Sequence, residues 1–309
     1  MDPKAYDARS LLVRFREDTS SAEDSAAQLQ GPLAFSDMVD VGQSLLPGLQ
    51  RVALPDGMAV ETALKAWRGF DAVLYVEPVF RIQVRATPDD PRFDELWGFH
   101  NDAQSGGTVD ADIDAPEAWD ATVGSGNTIV AVIDTGVDYS HPDLQANMWV
   151  NADEIPGDGL DNDGNGFVDD IHGYDFANHD ADPRDDNNHG THVAGTIAAA
   201  GDNKIGVTGI NWHAQIMALK FLNAQGSGDT DDAIEALNYA VANGAEISNN
   251  SWGFSGGFSQ SLYDAIEAAR DADHVFVAAA GNGNFLGIGM NNDATPFYPA
   301  SYDLENIVA

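Results

Sequence analysis

The sequence predicts an α/β protein, a doubly wound parallel sheet preceded by a small α+β unit. Three observations carry that expectation. An unbroken apolar run at residues 129–133 suits a strand buried on both faces, and further strands are read at 216–222 and 274–280. Helical stretches at 231–243, closed by Gly244, and at 260–272 alternate with them, as parallel strands joined by crossover helices require. The composition changes across residues 86–102, where Thr87-Pro88-Asp89-Asp90-Pro91 is turn and linker chemistry.

The 309 residues suffice for one large domain and one small one. Fifty acidic residues against 14 basic ones give a formal charge of −36, which argues against nucleic acid or an anionic membrane as partner. There is no cysteine, so disulfides and thiolate catalysis are excluded. No run is long and apolar enough to span a membrane, and residues 1–10 lack the apolar core of a secretory signal.

In the first unit, residues 11–15 read as a strand and 20–30 as a short helix stopped by Gly31-Pro32. A strand at 49–54, a helix at 58–67 closed by Gly69 and a strand at 73–76 follow, and 80–84 continues the last strand or adds an edge. This order suggests a ferredoxin-like sandwich. Beyond the break, 105–107 is loop and 115–119 a short helix with Asp114 as its expected cap. The strand 129–133 ends in Asp134. Residues 151–188 form a long polar excursion without helical or strand period, so a functional or disordered loop is expected. A small-residue helix at 189–200 precedes the regular alternation, in which a strand begins at 245 and runs to 252. Residues 306–309 resemble the start of a further strand, so the sequence is expected to be incomplete at its C-terminus.

Asp134 stands where open α/β sheets carry their chemistry, outside the carboxyl end of a strand. Alone, it reads equally as a polar strand terminus. His189, at a helix start and followed by Gly190, can act as a general base near neutral pH, with a buried aspartate fixing its tautomer. His189 and His192, three apart on one helix, could instead hold a metal, but no Glu completes a His-Glu-x-x-His zinc pattern. Asn282 follows a strand end and Gly281, so its amide can reach a cleft; alone it reads as a turn residue. The string Asp161-Asn162-Asp163-Gly164-Asn165-Gly166-Phe167 offers oxygen ligands at alternate positions and a glycine for the sharp turn, the first half of an EF-hand-type loop for Ca2+. Phe167 contributes a carbonyl, and Asp169 or Asp170 closes the shell, since position twelve is His172. A merely solvated acidic loop is the alternative. Lys220 reads as half of a structural ion pair, and His192 as a packed helix residue. The other six histidines, His274 among them, have no partner that the sequence names.

Three motifs in order resemble the subtilisin-like serine proteases, the subtilases. They are Asp134-Thr-Gly-Val-Asp138, Asn188-His189-Gly-Thr-His-Val-Ala-Gly-Thr196 and Val277-Ala-Ala-Ala-Gly-Asn282. The resemblance implies a subtilisin-like catalytic domain over 103–309, a linker and mature N-terminus over 87–102, and an inhibitor- and chaperone-type propeptide over 1–86. It implies a calcium-stabilised serine endopeptidase with an Asp-His-Ser triad, secreted as a monomeric proenzyme with its signal outside this sequence. Asp134 orients the imidazole, His189 is general base and then acid, and Asn282 donates to the oxyanion. The family's Gly-Thr-Ser-Met-Ala nucleophile segment is not found in residues 1–309, and neither Ser227 nor Ser251 matches it. The fragment alone is therefore expected to be inactive, and a non-catalytic pseudoprotease or peptide-binding, inhibitory module is the alternative.

The resemblance further implies that peptide substrates lie extended between Gly226-Ser227-Gly228 and Ser251-Trp252-Gly253, pairing through their main chain. Ala279, Ala280 and Gly281 would line the primary pocket and leave room for a bulky apolar side chain. A second calcium site is implied at Asp143, with Asn203 by its side chain, Gly201, Ile205 and Val207 by their carbonyls, and Asp90 completing it. Residues 83–86 of the propeptide would occupy the cleft, with cleavage between residues 84 and 89.

Overall fold

The computed structural model describes residues 6–16, 38–40, 46–80, 86–283, 289 and 291–309. The chain divides into two compact units, 1–84 and 85–309.

The first unit holds strands β1 (Tyr6–Phe15), β2 (Met38–Asp40) and β3 (Leu49–Ala53), helix α1 (Val60–Trp67) and strand β4 (Val73–Phe80). All pairings are antiparallel, in the order β2-β3-β1-β4. Alternation along β1 buries Leu11, Val13 and Phe15, and the stripe Val60, Ala63, Leu64 and Trp67 of α1 packs into the same core. The helix starts at Val60 rather than 58 because Ala59 is extended. Strand β2 has no counterpart in the sequence reading, and β4 runs unbroken through Glu77-Pro78. The helix expected at 20–30 and the segment 81–85 lie outside the described residues.

The second unit holds α2 (Ala115–Trp119), β5 (Ile129–Asp134), β6 (Gly173–Asp175), α3 (His189–Ala198), β7 (Gln215–Lys220), α4 (Thr230–Ala242), β8 (Ile247–Asn250), α5 (Gln260–Asp271), β9 (Val275–Ala278) and β10 (Ile307–Val308). The six strands form one parallel sheet in the order β10-β9-β8-β5-β7-β6. Both faces are covered, which is why residues 129–133 of β5 read as a continuous apolar run. Ala131, Ile133, Met217 and Leu219 pack with Leu237 of α4 and Ile266 of α5. Val130, Val132, Ile216 and Ala218 pack on the other face with Ala194 and Ala198 of α3. The chain passes from β5 to β7 on one side and then to β8 on the other, so strand order reverses at β5. That makes its carboxyl end the sheet's switch point.

Two expectations need correction. The excursion 151–188 contains β6, an edge strand held by Gly173, whose backbone lies so close to Ala218 that a Cβ would meet its carbonyl at 1.9 Å. Asp114 precedes α2 but does not cap it: its backbone is left-handed, at φ 55°, and its own N–H is bound by Asp112 Oδ1 at 2.7 Å. The strand 306–309 is present as β10, parallel to β9. Among the described residues, no helix is long and apolar enough to cross a membrane.

Candidate active site

The last residue of β5 is Asp134, paired in register with Lys220 at the end of β7. It is fully buried. Its Oδ1 accepts the Thr135 N–H at 2.7 Å and faces His189 Nδ1 at 2.7 Å. A carboxylate only accepts, so Nδ1 is the donor in this contact. His189 opens α3 with its side chain 50% exposed against 0% for Asp134. A buried carboxylate thus holds the imidazole of a half-exposed histidine. Close approach of α3 to β5 depends on Gly190, whose added Cβ would stand 2.2 Å from the Gly136 carbonyl. The buried face of α3 is Gly190, Ala194 and Ala198, and His192 lies off it, exposed rather than packed as expected.

Lys220 is buried and bonded to three acceptors: Thr135 O and Leu222 O at 2.8 Å and Asp186 Oδ1 at 2.7 Å. The backbone carbonyl of Asp134 in turn accepts Phe221 N–H and Leu222 N–H. The turn after Asp134 and the chain entering the Gly226 string are therefore fastened together. Gly226, Ser227, Gly228, Trp252 and Gly253 line one pocket of about 240 Å³ with Phe221. Trp252 donates from Nε1 to the Ile133 carbonyl at 3.0 Å, which fixes this wall to β5. Ser251 Oγ accepts from Asn249 Nδ2. Ala279 donates its N–H to the Asn250 carbonyl, Ala280 and Gly281 run on exposed, and Gly281 at φ 98° turns the chain into exposed Asn282.

Two carboxylates of the acidic string cluster with a third from outside it. Ligand atoms of Glu154, Asp161 and Asp163 lie within 4.8 Å of one another. Glu154, buried, also accepts the N–H groups of Asn162, Asp163 and Asp169. Asp169 and Asp170, the two residues expected to close the shell, are both hydrogen-bonded in this loop, and the Asn151 and Asn165 amides bridge Asp170 to Asp163. Asp169 accepts from Gly157 and Gly159, while buried Asp170 accepts from Asn151, Asn165 and Tyr239. Asn165 joins through its amide to Asp163, and Phe167 packs its ring on Tyr174, Phe176 and Tyr239. Nothing in the sequence marks Glu154, seven residues ahead of the string.

At the second loop, Asn203 Nδ2 and Val207 N–H donate to the two oxygens of Asp143 at 2.8 and 2.9 Å, and Asp202 N–H donates to Asp90. Burial, with the Asp143 charge adding to it, raises the Asp90 carboxyl above its ordinary range. Asp90 and Asp143 are both buried, and both donor sets are rich in oxygen, the ligand type that a hard cation such as calcium takes. Gly201 and Ile205 belong to the same 201–207 turn.

An open parallel α/β sheet with an aspartate–histidine pair at its switch point defines the class of this protein. Residues 125–309 match the model of the Subtilase family. The chain is 34% identical to the thermophilic serine proteinase of Bacillus sp. (strain AK1) over 309 residues, 99% of this chain and 64% of that protein. It is 35% identical to thermitase of Thermoactinomyces vulgaris, over 62% of this chain and 57% of that one. Among solved structures, a protease from Pseudoalteromonas arctica PAMC 21717 superposes with a TM-score of 0.52 at 33% identity, covering 71% of this chain and 64% of that chain. The chain belongs to the subtilase family. It spans less than two thirds of the length of these relatives.

Proposed function

We propose that the protein is a serine endopeptidase of the subtilisin type, made as a calcium-stabilised, secreted, monomeric proenzyme. The observation that carries this reading is the 2.7 Å contact between buried Asp134 and open His189 at the switch point. His189 Nε2 takes the proton of an attacking serine hydroxyl and returns it to the leaving amine, while Asp134 stabilises the imidazolium. The serine lies in no Gly-Thr-Ser segment of residues 1–309. Asn282 would donate to the oxyanion, and removal of such an asparagine from subtilisin costs about 10²–10³ in turnover. An extended peptide pairs with the strings at 226–228 and 251–253, and Ala279, Ala280 and Gly281 bound the pocket for a bulky apolar side chain. Asp161, Asp163 and Glu154 would hold one calcium ion, and Asp90, Asp143 and Asn203 another. Bound there, calcium supplies rigidity to the loops and no chemistry.

Residues 1–86 act as the propeptide, folded as a ferredoxin-like sandwich. The order β2-β3-β1-β4, with β1 and β3 central, supports that fold. The second reading is a peptide-binding module that performs no hydrolysis. A fluorophosphonate probe applied to the product of the whole coding sequence, including whatever follows residue 309, separates the two, because only an activated serine reacts. Labelling lost in His189→Ala supports the protease, and no labelling of that unaltered product refutes it.

A further inference from the structure

Asp185 lies four residues before His189, and nothing in its sequence context singles it out. Its carboxylate accepts five hydrogen bonds: Thr135 Oγ1, Asn187 N and Asn188 N on Oδ1, and Thr191 N and Thr191 Oγ1 on Oδ2. Burial alone would raise this carboxyl. The bonds from Thr191, Asn187 and Thr135 outweigh it and hold the group below its ordinary value. We infer that Asp185 is a positioning residue for the Asp134–His189 pair, an inference that rests on that pair being the working site.

Connectivity gives Asp185 this role. Asn188 occupies the cap position of α3 in a left-handed conformation, φ 83°, and its side chain caps nothing. The first N–H groups of the helix still need acceptors. Asp185 takes that of Thr191, and Thr135 Oγ1 takes that of Gly190 at 3.0 Å. Thr135 is the residue after Asp134, and its hydroxyl donates to Asp185. Thr191 Oγ1 likewise donates to Asp185 while accepting the Asp138 N–H at 2.9 Å. Both ends of the 135–138 turn are thus tied to the first turn of α3 through one carboxylate. His189 sits inside that loop of bonds and makes its own contact to Asp134 across it. A carboxylate at a helix N-terminus is also favoured by the helix dipole.

An ordinary helix cap would contribute stability alone. A positioning residue also fixes the imidazole against Asp134, and the two roles separate in one measurement. In protein labelled with 15N-histidine, the His189 Nδ1 proton bonded to Asp134 gives a far-downfield, slowly exchanging resonance, assigned by its loss in His189→Gln. Asp185→Asn replaces one acceptor oxygen by a donor. One charge-assisted hydrogen bond is worth about tenfold in an equilibrium, so the resonance should fall about tenfold or more, and Asp185→Glu should recover part of it. Should Asp185→Asn fail to fold, the double variant Thr135→Val/Thr191→Val removes both hydroxyl links and should lose the resonance in the same way. A resonance retained at full intensity in a variant whose melting temperature has dropped overturns the inference and makes Asp185 a cap only. Absence of the resonance from unaltered protein refutes the Asp134–His189 pair itself, and the inference with it.

Discussion

Lys220→Met isolates what fastens the turn after Asp134 to the chain leading into Gly226-Ser227-Gly228. The ammonium has two buried backbone acceptors, Thr135 O and Leu222 O, and one carboxylate, Asp186. The lysine side chain is 2% exposed and that of Asp186 49%, so removal of the charge lets Asp186 hydrate while the two carbonyls lose a donor in a dry site. A buried acceptor left alone costs about 1–3 kcal/mol, and methionine preserves the apolar stem, so the loss should be about 3 kcal/mol. With a urea slope of about 3 kcal/mol/M the midpoint should fall by about 1 M. Asp186→Asn disturbs only the half-exposed arm and should cost less than about 1 kcal/mol. Urea unfolding followed by tryptophan fluorescence, at fixed calcium, reads both. The reasoning fails if Lys220→Met shifts the midpoint no further than Asp186→Asn does.

Three further outcomes follow from the same structure. His274 is buried with Nδ1 on the Ala245 carbonyl and Nε2 on Ser248 Oγ, and burial pushes its pKa down. The folded state therefore holds it neutral, so its contribution is complete above about pH 6.5 and is lost as pH falls from there toward the folded value, by up to about 1.4 kcal/mol per pH unit. Urea midpoints at pH 7 and pH 5 should show that loss, and His274→Gln should flatten it. Gly190→Ala would set a Cβ 2.2 Å from the Gly136 carbonyl and should cost about 1–3 kcal/mol by thermal melt. Gly195→Ala in the same helix meets nothing within 4 Å and should instead gain up to about 1 kcal/mol. Calcium at about one hundred times its dissociation constant stabilises by about 2.7 kcal/mol, or roughly 5–10 °C for a unit of this size. A chelator should remove that gain, Asp161→Asn and Asp143→Asn should each remove part of it, and a melting temperature indifferent to the chelator would count against both loops as cation sites.

The parallel sheet was legible because burial on two faces leaves a direct trace, the mainly apolar stretches that became β5, β7 and β9. Strand β6 left none. Three residues long at the sheet's edge, it is set by Gly173 against Ala218, and neither residue carries a pattern. Helix ends were legible where a glycine stops them, as at Gly244, and misread where a capping residue type stood without capping, as at Asp114. Exposure of His192 follows from the i, i+4 spacing of Gly190, Ala194 and Ala198, a stripe of small residues that hydrophobicity alone does not reveal.

The site was legible in the residues that would do chemistry and illegible in those that would hold them. Asp134 and His189 stand at element ends, where position gives them meaning. Asp185 and Glu154 are two among 50 acidic residues, and their partners are mainly backbone N–H groups, which every residue but proline supplies. The same chemistry accounts for how so acidic a chain satisfies its carboxylates with 14 basic residues. Asp161 takes the N–H groups of Gly164, Asn165 and Gly166, and Asp112 those of Asn101 and Asp114. Such bonds favour the charged form and rigidify loops without needing a lysine or arginine. They also depend on local turn geometry rather than on a partner far along the chain. Substituting the acceptor by its amide should therefore loosen one loop at a time, whereas raising salt, which screens exposed ion pairs, should leave these loops nearly as stable as before.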